Sequence, residues 1–359
     1  MKKILCTTAL ASTLLVSANA LAQTTVTGQL DLSFNAKESN TAQNSYRGFG
    51  RESQINIQNK GKLSNGIDYA AGFSWEVDGN ESVGTGSFGE NTYIDFIFGK
   101  TTLTVSADHI QNPDFEITKL SGGIADVDDL MAAAASSNGK ESLAQIHSTQ
   151  NANSAYGAHG IGLIQDFGVA KASFFYAPDR TGGAAASNDS TGVTTNIDTG
   201  NSQMEVMVRG DLGVKGLDVF AYAGKSDSDT PGVASTSGDL EGRKYGLSYN
   251  FGQFSVAASQ SKVDSTSSIE AKTTSLGAAF AATKEITIGL IHSKTEADGT
   301  SLTTRGTTAD EKIKALNIGY NLGPVVINAM YAQGENVGGT SGASAVDTDA
   351  LHLNFTTKF

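Results

Sequence analysis

The feature that most constrains this chain is a period of two that keeps returning along it. "TTVTGQLDLSFN" (24–35) sets Val26, Gly28, Leu30, Leu32 and Phe34 against Thr25, Thr27, Gln29, Asp31, Ser33 and Asn35. One parity is apolar and the other polar, as in a strand with one greasy face and one wet face. "GIDYAAGFSWE" (66–76) and "QMEVMVRGDLG" (203–213) repeat the pattern. The alternation predicts sixteen strands over 24–35, 52–60, 67–76, 91–98, 101–108, 155–166, 169–177, 202–212, 217–225, 242–251, 254–263, 271–281, 285–295, 311–322, 325–333 and 348–359.

The links narrow the choice of fold. Short ones (KLSNG, GK, DFG, GVKG, GQ, ATK, GP) alternate with long polar ones such as 36–51, 178–201, 226–241 and 334–347. A soluble sandwich has no reason to sort its loops by length. A membrane barrel does, because one rim carries tight periplasmic turns and the other long extracellular loops. Aromatic residues cluster toward both ends of the apolar faces. Phe98, Phe251, Phe254, Phe280, Tyr320, Phe355 and Phe359 fall near the short-turn end, and Phe34, Phe73, Trp75, Tyr176 and Tyr331 near the other. Two aromatic girdles around an aliphatic band suit the two membrane–water interfaces. The final segment, "ALHLNFTTKF", alternates to its last residue. An even strand number lets 348–359 pair with 24–35, so that Phe359 helps close the cylinder and no sheet edge is left in lipid. The predicted fold is an all-β transmembrane antiparallel barrel.

Composition matters at three points. Lys2 and Lys3, the mostly apolar run Ile4–Val16 and "ANALAQ" predict a signal peptide over 1–22, cleaved before Gln23, with the barrel occupying 23–359. The only cysteine, Cys6, lies in that leader, so disulfides, thiolate metal sites and a cysteine nucleophile are excluded from the mature chain. Loss of the leader takes the net charge from −12 to about −14, which argues against binding nucleic acid or an anionic lipid surface. Beyond the leader no apolar run reaches 18 residues, so no transmembrane helix is available.

With its leader, the "TTVTGQLDLSF" strand, "KGKLSNGIDYAAGFSWEVDG", the "YIDFIFGKTTLTVSAD" hairpin, a very long third loop and a terminal phenylalanine, the chain resembles the Gram-negative general porins. The resemblance is one of layout and covers the whole mature chain. It implies a sixteen-stranded outer-membrane barrel, a homotrimer, and passive diffusion of small hydrophilic solutes and ions. It also implies that Phe359 is read during barrel assembly and that the third loop, 109–154, folds into the lumen and narrows it. One departure stands out: no arginine occurs between Arg51 and Arg180, whereas relatives often carry a Gly-Arg pair where this chain reads "LTVSAD".

The constriction is therefore assigned to acids: Asp108 at the end of its strand, and Asp114, Glu116, Asp126, Asp128 and Asp129 in the loop. Parity adds Asp31, Asp68, Glu76, Asp95, Glu205, Asp211 and Asp218 to the lumen, with Lys171, Arg209 and Lys244 opposing them. The basic pore wall is assigned to Arg47, Arg51, Lys171 and Arg209. Acidic lumens concentrate cations, so a weak cation preference is expected.

Rival chemistry finds little support. The five histidines show no HExxH spacing, no serine sits in G-x-S-x-G, and no D-x-D-x-D-G loop is present. "GAHGIG" (157–162) reads as a glycine-rich strand, because it lacks a strand–turn–helix setting. No cofactor, metal or enzymatic activity is expected. The alternative function is a substrate-specific channel or an adhesin-like barrel. A sugar-specific channel would show a slide of lumenal aromatics, and the single tryptophan, Trp75, falls on the lipid-facing parity.

Overall fold

A computed structural model describes residues 23–40, 45–78, 88–107, 159–179, 202–226, 240–265, 269–299, 309–337 and 346–359. The leader at 1–22 and the loop at 109–154 lie outside the described residues, as does Asp108.

Hydrogen bonding between neighbouring strands builds one closed antiparallel barrel of sixteen. In chain order the strands are β1 (Gln23–Ser39), β2 (Tyr46–Lys62), β3 (Asp68–Asp78), β4 (Phe88–Phe98), β5 (Thr101–Ala107), β6 (His159–Asp166), β7 (Ala170–Asp179) and β8 (Gln203–Gly210). They continue as β9 (Leu217–Ser226), β10 (Leu240–Phe251), β11 (Phe254–Ser265), β12 (Ile269–Ala281), β13 (Ile286–Gly299), β14 (Glu311–Asn321), β15 (Val325–Glu335) and β16 (Thr348–Lys358). Each predicted segment corresponds to one of these. The largest boundary difference is at β2, which begins at Tyr46 rather than at residue 52. The intervening "YRGFGR" has poor strand propensity. However, β1 runs on to Ser39 and offers it a ladder, pairing Lys37 with Tyr46 and Phe34 with Phe49. A neighbour's hydrogen bonds override a weak local preference.

Tight turns at one rim fix the register. Between β4 and β5 only Gly99 and Lys100 intervene, and Gly99 has φ +64°; Gly252 does the same between β10 and β11 at φ +73°. Two-residue hairpin turns need positive φ, which costs glycine little.

The outer surface is apolar. Leu30, Leu32, Trp75, Ile161, Val206, Leu290 and Leu316 are all exposed, which in a lipid-embedded barrel is the correct side. Tyr249, Phe251, Phe254 and Phe280 form a continuous stack near the short-turn rim, with successive ring centroids 6.0, 5.9 and 4.9 Å apart. Toward the other rim Phe34 and Phe49 meet at 5.1 Å.

The barrel closes between β1 and β16, in register from Gln29↔Lys358 to Ser39↔Thr348. The Gly28 N–H donates to the Phe359 carbonyl at 2.8 Å, and the Phe359 N–H donates back to the Gly28 carbonyl at 3.0 Å. The Phe359 ring covers Gly28 so closely that a Cβ there would meet it at 2.3 Å.

Candidate pore lining

The inward side of each strand is set by the same alternation. On β1 the outward residues are even-numbered, so Asp31 and Asn35 point into the lumen. Asp31 Oδ2 accepts hydrogen bonds from Asn354 Nδ2 at 3.1 Å and Thr356 Oγ1 at 2.9 Å, while His352 and Asn35 pair beside it. The seam is thus bonded on its wet side as well as along its backbone. Further round, Asn56 Oδ1 accepts from Gln54 and Ser74, each at 2.6 Å, and Gln58 donates to the Tyr93 hydroxyl. Asp95 lies opposite Ala70 and Thr104, both buried, and so faces inward too. Asp68 does the same at the turn rim, in an ion pair with Lys62.

Two sectors of the inner wall differ. The charges described above sit on β1–β4. On β12 and β13 the inner wall carries small hydroxyl residues in pairs, Thr273–Thr295 at 2.8 Å and Ser275–Ser293 at 2.9 Å. Glu311 is the inward acid on β14 and is buried. Alongside lies a buried apolar group of Ile291, Ile313, Ala315, Met330, Ala332 and Ala350. Part of the inner wall is therefore dry.

The assigned bases do not form one wall. Arg51 is directly opposite Leu32, and Arg47 opposite Ala36, on the parity of Phe49, Ile55 and Ile57. Both arginines face outward, and Arg47 forms an ion pair there with Glu38. Assigning them to the lumen is corrected on this ground: they lie in a stretch whose period the sequence obscured with glycines, and one residue of register reverses a strand's faces. Lys171 and Arg209 do point inward and are cross-strand neighbours, at the short-turn end of β7 and β8. Arg209 is held by Asp218, with Nη2–Oδ2 2.6 Å and Nε 3.1 Å from both carboxylate oxygens. Asp211 belongs to the β8–β9 turn rather than to the wall; its Oδ1 accepts the Gly213 N–H at 2.8 Å. Asp114, Glu116, Asp126, Asp128 and Asp129 lie outside the described residues, with Asp108.

Four inward aromatics escaped the sequence reading: Tyr93, Phe175, Phe220 and Tyr222. Each shares parity with a charged residue of its own strand, Asp95, Lys171 or Asp218, which was the available signal. All are buried, and the Tyr222 hydroxyl donates to Glu205, itself only 5% exposed. They pack into the wall and offer no open ring face to a passing solute. Among the described residues no three His, Cys, Asp or Glu are placed to hold a metal ion.

Comparison with known proteins agrees with this architecture. The profile of a family described as Gram-negative porin matches residues 7–349. No curated protein matches in sequence. Among solved structures, the anion-selective porin from Comamonas acidovorans is similar at TM-score 0.66 and 15% identity, covering 94% of this chain and 100% of that one. A Rh. blastica porin variant is similar at 0.61 and 12%, covering 94% and 100%. OmpT of Vibrio cholerae in its trimer form is similar at 0.58 and 12%, covering 94% and 99%.

Proposed function

The chain belongs to the Gram-negative porin family and spans the outer membrane as a β-barrel channel; from that premise we propose that it passes small hydrophilic solutes and ions by passive diffusion, with a weak preference for cations. The observation that carries the preference is the fate of the four assigned bases. Arg47 and Arg51 face away from the lumen, Arg209 is ion-paired with Asp218, and Lys171 is the one of the four that faces inward without being held by that acid, at the short-turn end of β7. Asp31 and Asp95 remain on the wall, where carboxylates in a confined aqueous passage raise the local cation concentration.

The same reading assigns the constriction to 109–154, with Asp108, Asp114, Glu116, Asp126, Asp128 and Asp129 at the narrowest point. It is supported by the buried apolar group on the inner wall of β13–β16, because an inner wall facing only water would favour polar side chains there. Residues 1–22 direct export and are removed before Gln23. The assembly is a homotrimer, a reading supported by the trimeric Vibrio cholerae neighbour. Phe359, at the closing seam, also serves as an assembly signal.

The test is a reversal potential across a KCl gradient in planar bilayers. Cation selectivity is expected, reduced in D126N/D128N/D129N; an anion-selective reversal potential overturns the reading. The neighbour from Comamonas acidovorans is anion-selective, so the sign is a real discriminator within this fold.

A further inference from the structure

At the closing seam β1 outruns β16. The two strands pair as far as Gln29↔Lys358, and the last rung joins Gly28 to Phe359. Residues 23–27 run on past that rung, paired with β2 alone from Gln23↔Lys60 to Thr27↔Asn56. At about 3.3 Å per residue the overhang is about 16 Å long. Gly28 both donates to and accepts from Phe359. In an antiparallel ladder every second residue turns both backbone groups to the same neighbour, so Val26 and Thr24 direct their N–H and C=O away from β2. Among the described residues no strand pairs with them on that side. All five residues of the overhang are exposed, and all but Val26 are polar. They lie past the Phe359 ring, on the water side of the short-turn interface. This is an open sheet edge, a short row of donors and acceptors set to pair with a further strand.

The surroundings define what fits. Lys358 stands at the upper end of the edge and Lys60, opposite Gln23, at the lower end; both are inward and exposed. The neighbouring acids have partners of their own, Asp68 with Lys62, and Asp31 with Asn354 and Thr356. The outward side is apolar, with Val26, Phe359 and, in the β14–β15 turn, Leu322 all exposed. Val325 opens β15 opposite Thr357, which brings that turn to the far side of the gap. A strand seated between alternates like its neighbours, with one parity toward Lys358 and Lys60 and the other toward Val26 and Leu322.

We propose that residues 23–27 are a docking edge for an extended segment of another periplasmic chain, acidic on its inward parity and apolar on its outward one. The segment adds as a strand antiparallel to β1 and in line with β16. Main-chain hydrogen bonds to Thr24 and Val26 supply affinity, and the two lysines select an acidic partner. The barrel's own ladder uses none of these backbone groups, so the edge fills and empties without disturbing closure.

The experiment follows, by fluorescence anisotropy, binding of a blocked seven-residue peptide of alternating valine and glutamate to the detergent-solubilised protein. A copy N-methylated at its valines keeps the side chains and loses the hydrogen bonds; it should bind at least tenfold more weakly, an arm that needs no variant. Val26→Pro removes a donor from the free edge and leaves the β2 ladder whole, so binding should fall at least tenfold at an unchanged unfolding midpoint. K60Q/K358Q should also weaken binding, and an alternating valine–lysine peptide should bind at least tenfold more weakly than the glutamate one. Equal affinity for the N-methylated copy, or unchanged binding in Val26→Pro, overturns the added strand. Equal affinity for the lysine peptide, or unchanged affinity in K60Q/K358Q, overturns the acidic partner. Failure of the glutamate peptide to bind at 1 mM overturns the proposal outright.

Discussion

Gly28 is outward-facing yet buried, because the Phe359 ring fills the space where a side chain would stand. Two backbone hydrogen bonds hold the pair face to face. Gly28→Val is predicted to destabilise the barrel by about 1–3 kcal/mol through overpacking. Phe359→Ala vacates that space, so the double variant should lose less than the sum of the single losses. Denaturant midpoints in detergent micelles read both; strict additivity would show that the two residues do not share the space. On the wet side of the same seam, Asp31 accepts hydrogen bonds from Asn354 and Thr356. Asp31→Ala strands both donors and should cost about 1–3 kcal/mol, whereas Asp31→Asn keeps one acceptor and should cost less. Both remove a lumenal charge and should lower cation preference alike, which separates the electrostatic role from the structural one.

A strand of this barrel works as an element because its two faces meet different solvents. Val256 faces lipid and Ser255 faces the lumen, one residue apart on β11. A charge on the lipid face near the bilayer midplane costs about 2–4 kcal/mol. Ala258→Lys, on the same face as Val256 and four residues from the Phe254 rim, should therefore lower the unfolding midpoint strongly, while Ser255→Lys should leave it near wild type and shift conductance. Equal destabilisation by both would contradict the assigned faces. The alternation made most of this legible from sequence, including all sixteen strands and the outward side of Trp75 and Phe254. It failed at β2, where glycines at 48 and 50 leave the parity of Arg47 and Arg51 unmarked until pairing with β1 supplies it. It also passed over Tyr93, Phe175, Phe220 and Tyr222, because aromatic residues were read as lipid-facing and an inward aromatic departs from that rule.

At the scale of the whole molecule, closure turns sixteen amphipathic strands into a channel. No backbone edge remains for lipid to solvate, and the polar faces enclose a common interior. Selectivity arising from wall charges acts through water and is screened by salt. The Debye length falls from about 10 Å at 0.1 M to about 3 Å at 1 M. The cation preference should accordingly shrink toward the bulk mobility ratio in 1 M KCl. A preference that is independent of salt would point to direct ion binding instead. Deleting residues 120–140 should raise single-channel conductance if 109–154 narrows the passage, and unchanged conductance would remove the loop from the permeation path.

What the sequence determined by itself was the class of object: period-two patterning fixes which residues can share a face, and the spacing of short and long links fixes up-and-down connectivity. Those are local properties, encoded between near neighbours. Only the tertiary structure decided which bases reach the lumen, that Arg209 meets Asp218, and that β1 outruns β16 at the seam. Each of these depends on the register between strands far apart in the chain, and a shift of one residue would exchange inside for outside.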